Sequence, residues 1–225
     1  MFFFKKRPTY SSSNYFKGFT DYHCHILPGV DDGVKTLDES LEILSEYERL
    51  GVEVVWFTPH IMEDVPNTTE ALRERFQQLK DAYSGSIKLN LAAEYMLDGL
   101  FDQRLKDNDL LTLGHEGNQI LVETSYFNAP IAMEQTLLQI MSKGLFPVLA
   151  HPERYRYIAD IEGYRRLRNM GVKFQMNLGS ITGVYGQTAH RKALMLIKEG
   201  VYDYTGTDLH NINLLHIILD TIIPN

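Results

Sequence analysis

From Phe19 onward the chain alternates short β-rich runs with amphipathic helical patterns, and few architectures accept that alternation. The runs are Phe19 to His23, Val52 to Thr58, Ile87 to Ala93, Gln119 to Glu123, Phe146 to Ala150, Val172 to Asn177 and Val201 to Thr205. Between most of them lie apolar stripes at helical spacing, such as Leu72, Phe76, Leu79, Tyr83 and Met133, Leu137, Ile140, Met141,. The first helix is readable at both ends. Thr36 and Glu39 have the spacing of a capping box, Leu37, Leu41, Leu44 and Tyr47 repeat at helical intervals, and Gly51 stops the pattern,. Neighbouring parallel strands need a long return connection, so strands alternating with helices predict a parallel α/β fold. A length of 225 residues fits one such domain,.

The side chains that bind metals fall at the ends of these runs. His23 ends the first, His60 follows the second, Glu94 the third, Glu123 ends the fourth, His151 follows the fifth, and Asp208 with His210 follows the seventh. In a closed α/β barrel the carboxyl ends of all strands share one rim, where residues far apart in sequence converge. His23 and His25 are two apart, so on an extended strand both rings share one face while Cys24 points the other way. A lone His-x-His is weak by itself. Ligand-type residues at six of seven strand ends are not, because burying that many polar groups without a partner is costly,. Asp31 and Asp32 precede Gly33, where an Asx turn and metal ligation are both open,. His115, His190 and His216 fall in a turn and two helical patterns and are left out.

Composition narrows the function classes. Hydrophobic residues at 44% and charged residues at 23% are ordinary for a folded globular chain,. A net charge of −7 disfavours nucleic acid and anionic membrane surfaces as partners,. No apolar run approaches the roughly 18 residues of a membrane span, and a single cysteine fits a reducing compartment, so a cytoplasmic location is expected. The aromatic and basic start, Phe2 to Phe4 with Lys5, Lys6 and Arg7, has the wrong order for a secretory signal, and residues 1–18 read as a flexible segment before a domain over 19–225,.

Imidazole and carboxylate ligands suit Zn²⁺, Mn²⁺ or Fe²⁺, and a set of eight suits two or three ions. Clustered ions neutralise phosphate oxygens and acidify water, which phosphoryl transfer needs. A guanidinium would complete the phosphate clamp, and Arg154, three residues after His151, is the candidate,. Cys24 does not read as a phosphatase nucleophile, because such thiols precede an arginine by six positions and that position is Val30.

Together, Thr20-Asp-Tyr-His-Cys-His-Ile-Leu-Pro-Gly-Val-Asp-Asp-Gly33, Thr58-Pro-His60, Ala93-Glu94, Leu121-Val-Glu123, Ala150-His-Pro-Glu-Arg-Tyr155 and Gly206-Thr-Asp-Leu-His-Asn211 resemble the polymerase-and-histidinol-phosphatase (PHP) superfamily. Within it they look most like bacterial manganese-dependent protein-tyrosine phosphatases of capsule and exopolysaccharide operons. The resemblance implies a distorted seven-stranded, TIM-like (β/α) barrel and three divalent ions, manganese preferred, with iron or zinc also acceptable. It implies one ion on His23, His25, Glu94 and Asp208, a second on Glu94, Glu123 and His151, and a third on Asp31 or Asp32 with His60 and His210. Arg154 would bind substrate phosphate, with Ser180 and the Gly179-Ser-Ile-Thr-Gly183 loop adding donors. The implied substrate is the phosphotyrosine-rich tail of a bacterial tyrosine kinase. A small-molecule phosphatase of the histidinol-phosphate type shares the ligands, and a non-catalytic metal-stabilised domain would show a degraded set; here the set is complete.

Overall fold

The computed structural model describes residues 7–224. The order is β1 (Thr20–Cys24), α1 (Leu37–Leu50), β2 (Val54–Phe57), β3 (His60–Ile61), α2 (Thr69–Ala82), β4 (Lys88–Leu91), β5 (Glu94–Met96), α3 (Gly99–Asp107), β6 (Gln119–Glu123), α4 (Met133–Ser142), β7 (Phe146–Ala150), α5 (Ile161–Asn169), β8 (Lys173–Asn177), α6 (Leu178–Thr182), α7 (Gly186–Lys198), β9 (Tyr204–Gly206) and α8 (Ile212–Asp220). The expected capping box at the head of α1 is present, with Glu39 N–H donating to Thr36 and the Glu39 carboxylate reaching back to the Thr36 N–H, and Gly51 closes the helix at φ 87°,.

The strands form two sheets, ordered β1-β2-β4 and β3-β5-β6-β7-β8-β9, and every strand pair is parallel. The seven runs of the sequence become nine strands because two of them break and resume. Pro59 cannot donate to a ladder, and after it the chain restarts as β3; Ala92 and Ala93 likewise separate β4 from β5. His60 and Glu94 therefore open short strands instead of lying in loops, and they face one another in register.

Alternation of side chains then sorts the core. Ile120, Val122 and Leu149 pack into the large helix-facing cluster, whereas Leu121, Val148 and Ala150 join Trp56, Ala92 and Leu113 in a small inner one,. Glu123 shares the parity of Leu121, so the same pleat that buries an inner leucine aims a carboxylate at the strand ends.

The first sheet meets the second near the end of β1. His25 N–H donates to the Leu209 carbonyl at 2.9 Å and Asp208 N–H to that of His23 at 2.7 Å, just beyond β9. Gly206 makes this approach possible: a Cβ there would lie 2.5 Å from the Cβ of His23 and 2.8 Å from its backbone nitrogen,.

Residues 8–18, expected to belong to a flexible segment, pack against the domain. Tyr10 and Phe16 are buried, and the chain is laced to the end of α8 by Tyr10 N–H to Thr221 O at 3.0 Å and Ser11 N–H to Leu219 O at 2.9 Å. Aromatic residues of this stretch pack on one another, with Tyr10 edge-on to Tyr15 at 4.7 Å. Phe2 to Phe4, Lys5 and Lys6 lie outside the described residues.

Gly206→Ala is expected to cost about 1–3 kcal/mol, the usual range for overpacking, because backbone on both sides must move. Urea unfolding measures it, and an unchanged midpoint would mean that β1 and β9 are not held this closely.

Candidate active site

Eight of the sequence-derived ligands converge at the carboxyl ends of the strands. The Nε2 atoms of His23 and His25 lie 3.0 Å apart, and Glu94 Oε2 is 3.2 Å from the first and 3.3 Å from the second. Asp208 Oδ1 stands 3.5 and 3.4 Å from the same two nitrogens. His151 Nε2 is 2.9 Å from Glu94 Oε1, and His60 Nδ1 is 3.2 Å from both Glu94 and Glu123. His210 Nε2 lies 3.3 Å from Asp32 Oδ1. Asp32 is exposed and His60 and His210 are partly buried; the other candidate ligand side chains are buried.

The tautomers follow from what the far side of each ring touches. His23 Nδ1–H donates to Gln175 Oε1 at 2.8 Å, His25 Nδ1–H to Asp31 Oδ2 at 2.8 Å, and His210 Nδ1–H to the Asp208 carbonyl at 2.8 Å. A neutral ring that donates from Nδ1 presents a lone pair at Nε2. The centre is thus a meeting of lone pairs and carboxylates that repel one another unless a cation lies among them. Among the described residues His60 Nδ1 and His151 Nδ1 are also buried without a hydrogen-bond partner, another mark of polar groups built for something other than protein,.

Titration behaviour carries the same message. Burial alone pushes the His23 imidazolium pKa down, but the Glu94 and Asp208 carboxylates override it and hold it up at about 10,. For His60, burial is likewise outweighed, by Glu123 and Glu94, and the pKa sits at about 9. Burial raises Glu94 and Asp208, yet His23 and its neighbours bring both below their ordinary values. A site that stabilises imidazolium this strongly stabilises positive charge, and a divalent ion meets that demand better than protons do.

Three groups offer ligand atoms within 4.8 Å of one another: His23, His25 and Glu94; His60, Glu94 and Glu123; and His25, Asp32, His60 and His210. Nitrogen and oxygen donors of this kind fit divalent first-row ions. Asp31 corrects an expectation. It belongs to none of these groups, because Oδ2 is taken by His25 Nδ1–H and by the His60 N–H at 3.1 Å, and Oδ1 by the Gly33 N–H at 3.0 Å. Asp31 orients a ligand, and Asp32 joins the cluster.

Arg154 stands where the sequence placed it, on the turn after His151. Its guanidinium lies between the rings of Tyr126 and Tyr185, 4.2 Å from each centroid, and Nη1 donates to Asp208 Oδ2 at 3.1 Å. A cavity of about 420 Å³ opens above the cluster, lined by Asp32, His60, Glu94, His151, Arg154 and Asp208 together with Tyr126, Tyr185 and Leu214. Ser180 does not line it. The Gly179–Gly183 stretch lies in helix α6 with Gly183 as its cap, and Ser180 is buried inside the fold, away from the cavity lining. Cys24 is buried and turned away, its thiol donating to the Trp56 carbonyl at 3.4 Å, with a pKa pushed up by burial. His190 and His216 lie in α7 and α8, and none of His115, His190 and His216 joins the cluster.

Four supporting residues were not picked out from sequence. Gln175 fixes the His23 tautomer, and Asn177 Nδ2 holds Asp208 Oδ2 at 2.6 Å. Tyr126 and Tyr185 sandwich Arg154. Gln175 and Asn177 occupy the end of a β-rich run, the same position that identified the charged ligands, but neutral amides carry no chemical signature of their own. Asp21, quoted only as part of a motif, accepts from Thr207 N–H at 2.9 Å, Thr207 Oγ1 at 2.7 Å and Tyr47 OH at 2.8 Å, tying the root of β1 to the loop bearing Asp208.

Fold and site together define a parallel α/β protein with a cluster of candidate metal ligands at the carboxyl ends of its strands. Residues 19–215 match the family model for capsular polysaccharide synthesis, CpsB/CapC, and the chain belongs to that family. It is 32% identical over 197 residues to the tyrosine-protein phosphatase YwqE of Bacillus subtilis (strain 168), covering 85% of this chain and 77% of that one. The tyrosine-protein phosphatase CpsB of Streptococcus pneumoniae is 28% identical over 205 residues, covering 86% and 83%. A solved structure, from work describing YwqE of B. subtilis and CpsB of S. pneumoniae as unique metal-dependent tyrosine phosphatases, superposes with a TM-score of 0.79 at 30% identity, over 87% of this chain and 81% of that one.

Asp32→Ala is expected to lower the metal retained after dialysis, read by elemental analysis. Asp31→Asn is expected to keep the metal with an affinity weaker by roughly 10–100-fold, the usual effect of losing an orienting partner. Full retention in Asp32→Ala would place that ligand elsewhere.

Proposed function

We propose that this chain is a metal-dependent protein-tyrosine phosphatase that hydrolyses phosphotyrosine in the tail of a bacterial tyrosine kinase controlling capsule or exopolysaccharide synthesis, in the cytoplasm. The observation that carries the reading is the placement of Arg154, clamped between two tyrosine rings beside a cavity that reaches the candidate ligands His60, Glu94, His151, Asp208 and His210. The nine strands are read as a seven-stranded distorted barrel, with β2 continuing as β3, β4 as β5, and the ring closing where β1 meets the chain beyond β9.

Three ions are assigned, manganese preferred, with iron or zinc also acceptable. His23, His25, Glu94 and Asp208 would hold the first, Glu94, Glu123 and His151 the second with His60 beside them, and Asp32, His60 and His210 the third. Bound there, such ions neutralise phosphate oxygens and lower the pKa of water. The protein's own part is to position. Glu94 offers its two oxygens to different neighbours, Oε1 towards His151 and Oε2 towards His23, His25 and His60, which suits a bridging carboxylate. Arg154 supplies a planar fork matched to two phosphate oxygens, and the stacked rings hold that plane, so little rotamer freedom is lost on binding. Tyr126, Tyr185 and Leu214 give the cavity an apolar side against which a phenyl ring can pack.

Chelation is expected to abolish phosphate release and Mn²⁺ to restore it, because the buried Cys24 offers no alternative nucleophile; Cys24→Ser is expected to retain most turnover. Full activity in excess chelator would overturn the reading, and so would faster turnover of histidinol phosphate than of phosphotyrosine peptides. Arg154→Ala is expected to keep its metal while losing about 2.7–4 kcal/mol of transition-state stabilisation, roughly a hundredfold or more in rate. Arg154→Lys is expected to recover only part of this, since a point charge lacks the bidentate fork. Near-normal kcat/KM in Arg154→Ala would remove Arg154 from the phosphate clamp.

A further inference from the structure

A second groove of about 360 Å³ leads away from the cavity over the cluster, lined by Tyr126, Phe127, Arg154, Arg156, Tyr185 and the first turn of α7. Tyr126, Arg154 and Tyr185 line both, so the two are continuous. Its charge is unlike that of the molecule. The chain carries −7 overall and the cluster next door is built from carboxylates, yet no Asp or Glu lines this groove and two arginines do. Among the described residues Arg154 is committed to Asp208, whereas Arg156 is exposed and makes no ion pair.

Arg156 is nonetheless held in place. Its guanidinium lies 4.7 Å from the ring centroid of Phe127, a phenylalanine left 60% exposed. The backbones beneath are fixed as well: Arg156 N–H donates to the Tyr126 carbonyl at 2.7 Å, and Lys192 Nζ grips the carbonyls of Tyr155 and Ile158 at 2.6 Å each. An exposed aromatic that stacks on an unpaired arginine pre-organises the fork for an anion and reduces the entropy lost when one binds. The far side is the N-terminal turn of α7, which has no side-chain cap and no acidic residue, so its partial positive charge adds to the same field,.

We propose that this groove is a specificity subsite in which Arg156, backed by Phe127, binds a second anionic group on the substrate peptide, next to the phosphotyrosine being hydrolysed. The inference rests on the phosphatase reading above. A flanking carboxylate and a second phosphotyrosine present the same chemistry to a guanidinium, and the groove resolves how a protein of net charge −7 takes an acidic peptide: recognition is confined to one basic strip beside the reaction centre.

The test uses the full chain loaded with Mn²⁺ and phosphotyrosine peptides of one length, flanked on both sides by alanine, glutamate, lysine or a second phosphotyrosine, with p-nitrophenyl phosphate as the substrate without flanks. The unchanged protein is expected to show kcat/KM roughly five- to tenfold higher for glutamate than for alanine flanks, the scale of one partly exposed charge-assisted contact. In Arg156→Ala that ratio is expected to fall towards one, and in Arg156→Glu the lysine-flanked peptide is expected to become the better substrate. A gain for the second phosphotyrosine without one for glutamate identifies phosphate as the group selected. An unchanged preference for acidic flanks in Arg156→Ala, glutamate and phosphotyrosine alike, or no flank preference in the unchanged protein, overturns the proposal. If the unchanged protein hydrolyses neither the peptides nor p-nitrophenyl phosphate, the phosphatase reading fails separately. Fluorescence anisotropy with the same labelled peptides then decides the subsite: tighter binding of acidic flanks that Arg156→Ala removes supports it, and equal Kd values overturn it.

Discussion

Two imidazole lone pairs and two carboxylates facing one another across about three ångströms set the terms for the rest of this protein. His23 Nε2, His25 Nε2, Glu94 Oε2 and Asp208 Oδ1 are all acceptors when their rings are neutral, and they are buried. Such a cluster is stable only with positive charge inside it, since an unpaired buried ion costs several kcal/mol. The folded chain therefore has to deliver these four atoms from β1, β5 and the loop beyond β9 to one point while excluding water, and much of its irregular backbone serves that delivery.

Two of the three positive-φ residues other than glycine among the described residues fall at the site. His151 and Asp208 adopt φ values of 33° and 53°, a region that residues other than glycine seldom occupy,. Each turns a side chain inward just past a strand end, where the pleat alone would not place it. The cost is met by neighbours that leave no other arrangement: Asp208 is gripped by Asn177 and Arg154, and Gln175 sits below both His23 and the His151 N–H. Asp21 adds a fixed crosslink beneath, joining β1 to Thr207.

What was legible in the sequence and what was not divides along physical lines. Helix ends were readable because caps are local, as Thr36, Glu39 and Gly51 show. The convergence of the candidate ligands was readable because ionisable side chains at successive strand ends are costly to bury and have few other reasons to be there,. The breaks at Pro59 and at Ala92 and Ala93 were not, because each depends on how one strand meets another across the fold. The sequence left Asp31 and Asp32 open, since adjacent carboxylates in one turn differ only in which way the backbone aims them. The setting of Ser180, which only the resemblance put near substrate, was not legible because it depends on the short helix that Asn177 caps. The packing of residues 8–18 was not legible either, because the partner of Tyr10 and Ser11, the end of α8, is remote in sequence.

The arrangement of charge gives Arg154 a position no other cation near the cluster holds. It is tied to Asp208, an oxygen donor of the cluster, and shares its stacking rings with the groove that holds Arg156. Burial alone would lower its pKa, yet Asp208 and the tyrosines raise it, so the guanidinium stays charged inside a partly dry cavity. A permanent cation there offsets part of the negative charge that the ligand set presents to an incoming phosphate, and its tyrosine sandwich keeps it from folding onto the carboxylates entirely. A cluster of carboxylates strong enough to hold several cations would otherwise repel the anion it acts on. The two arginines are the counterweight that lets one surface attract both.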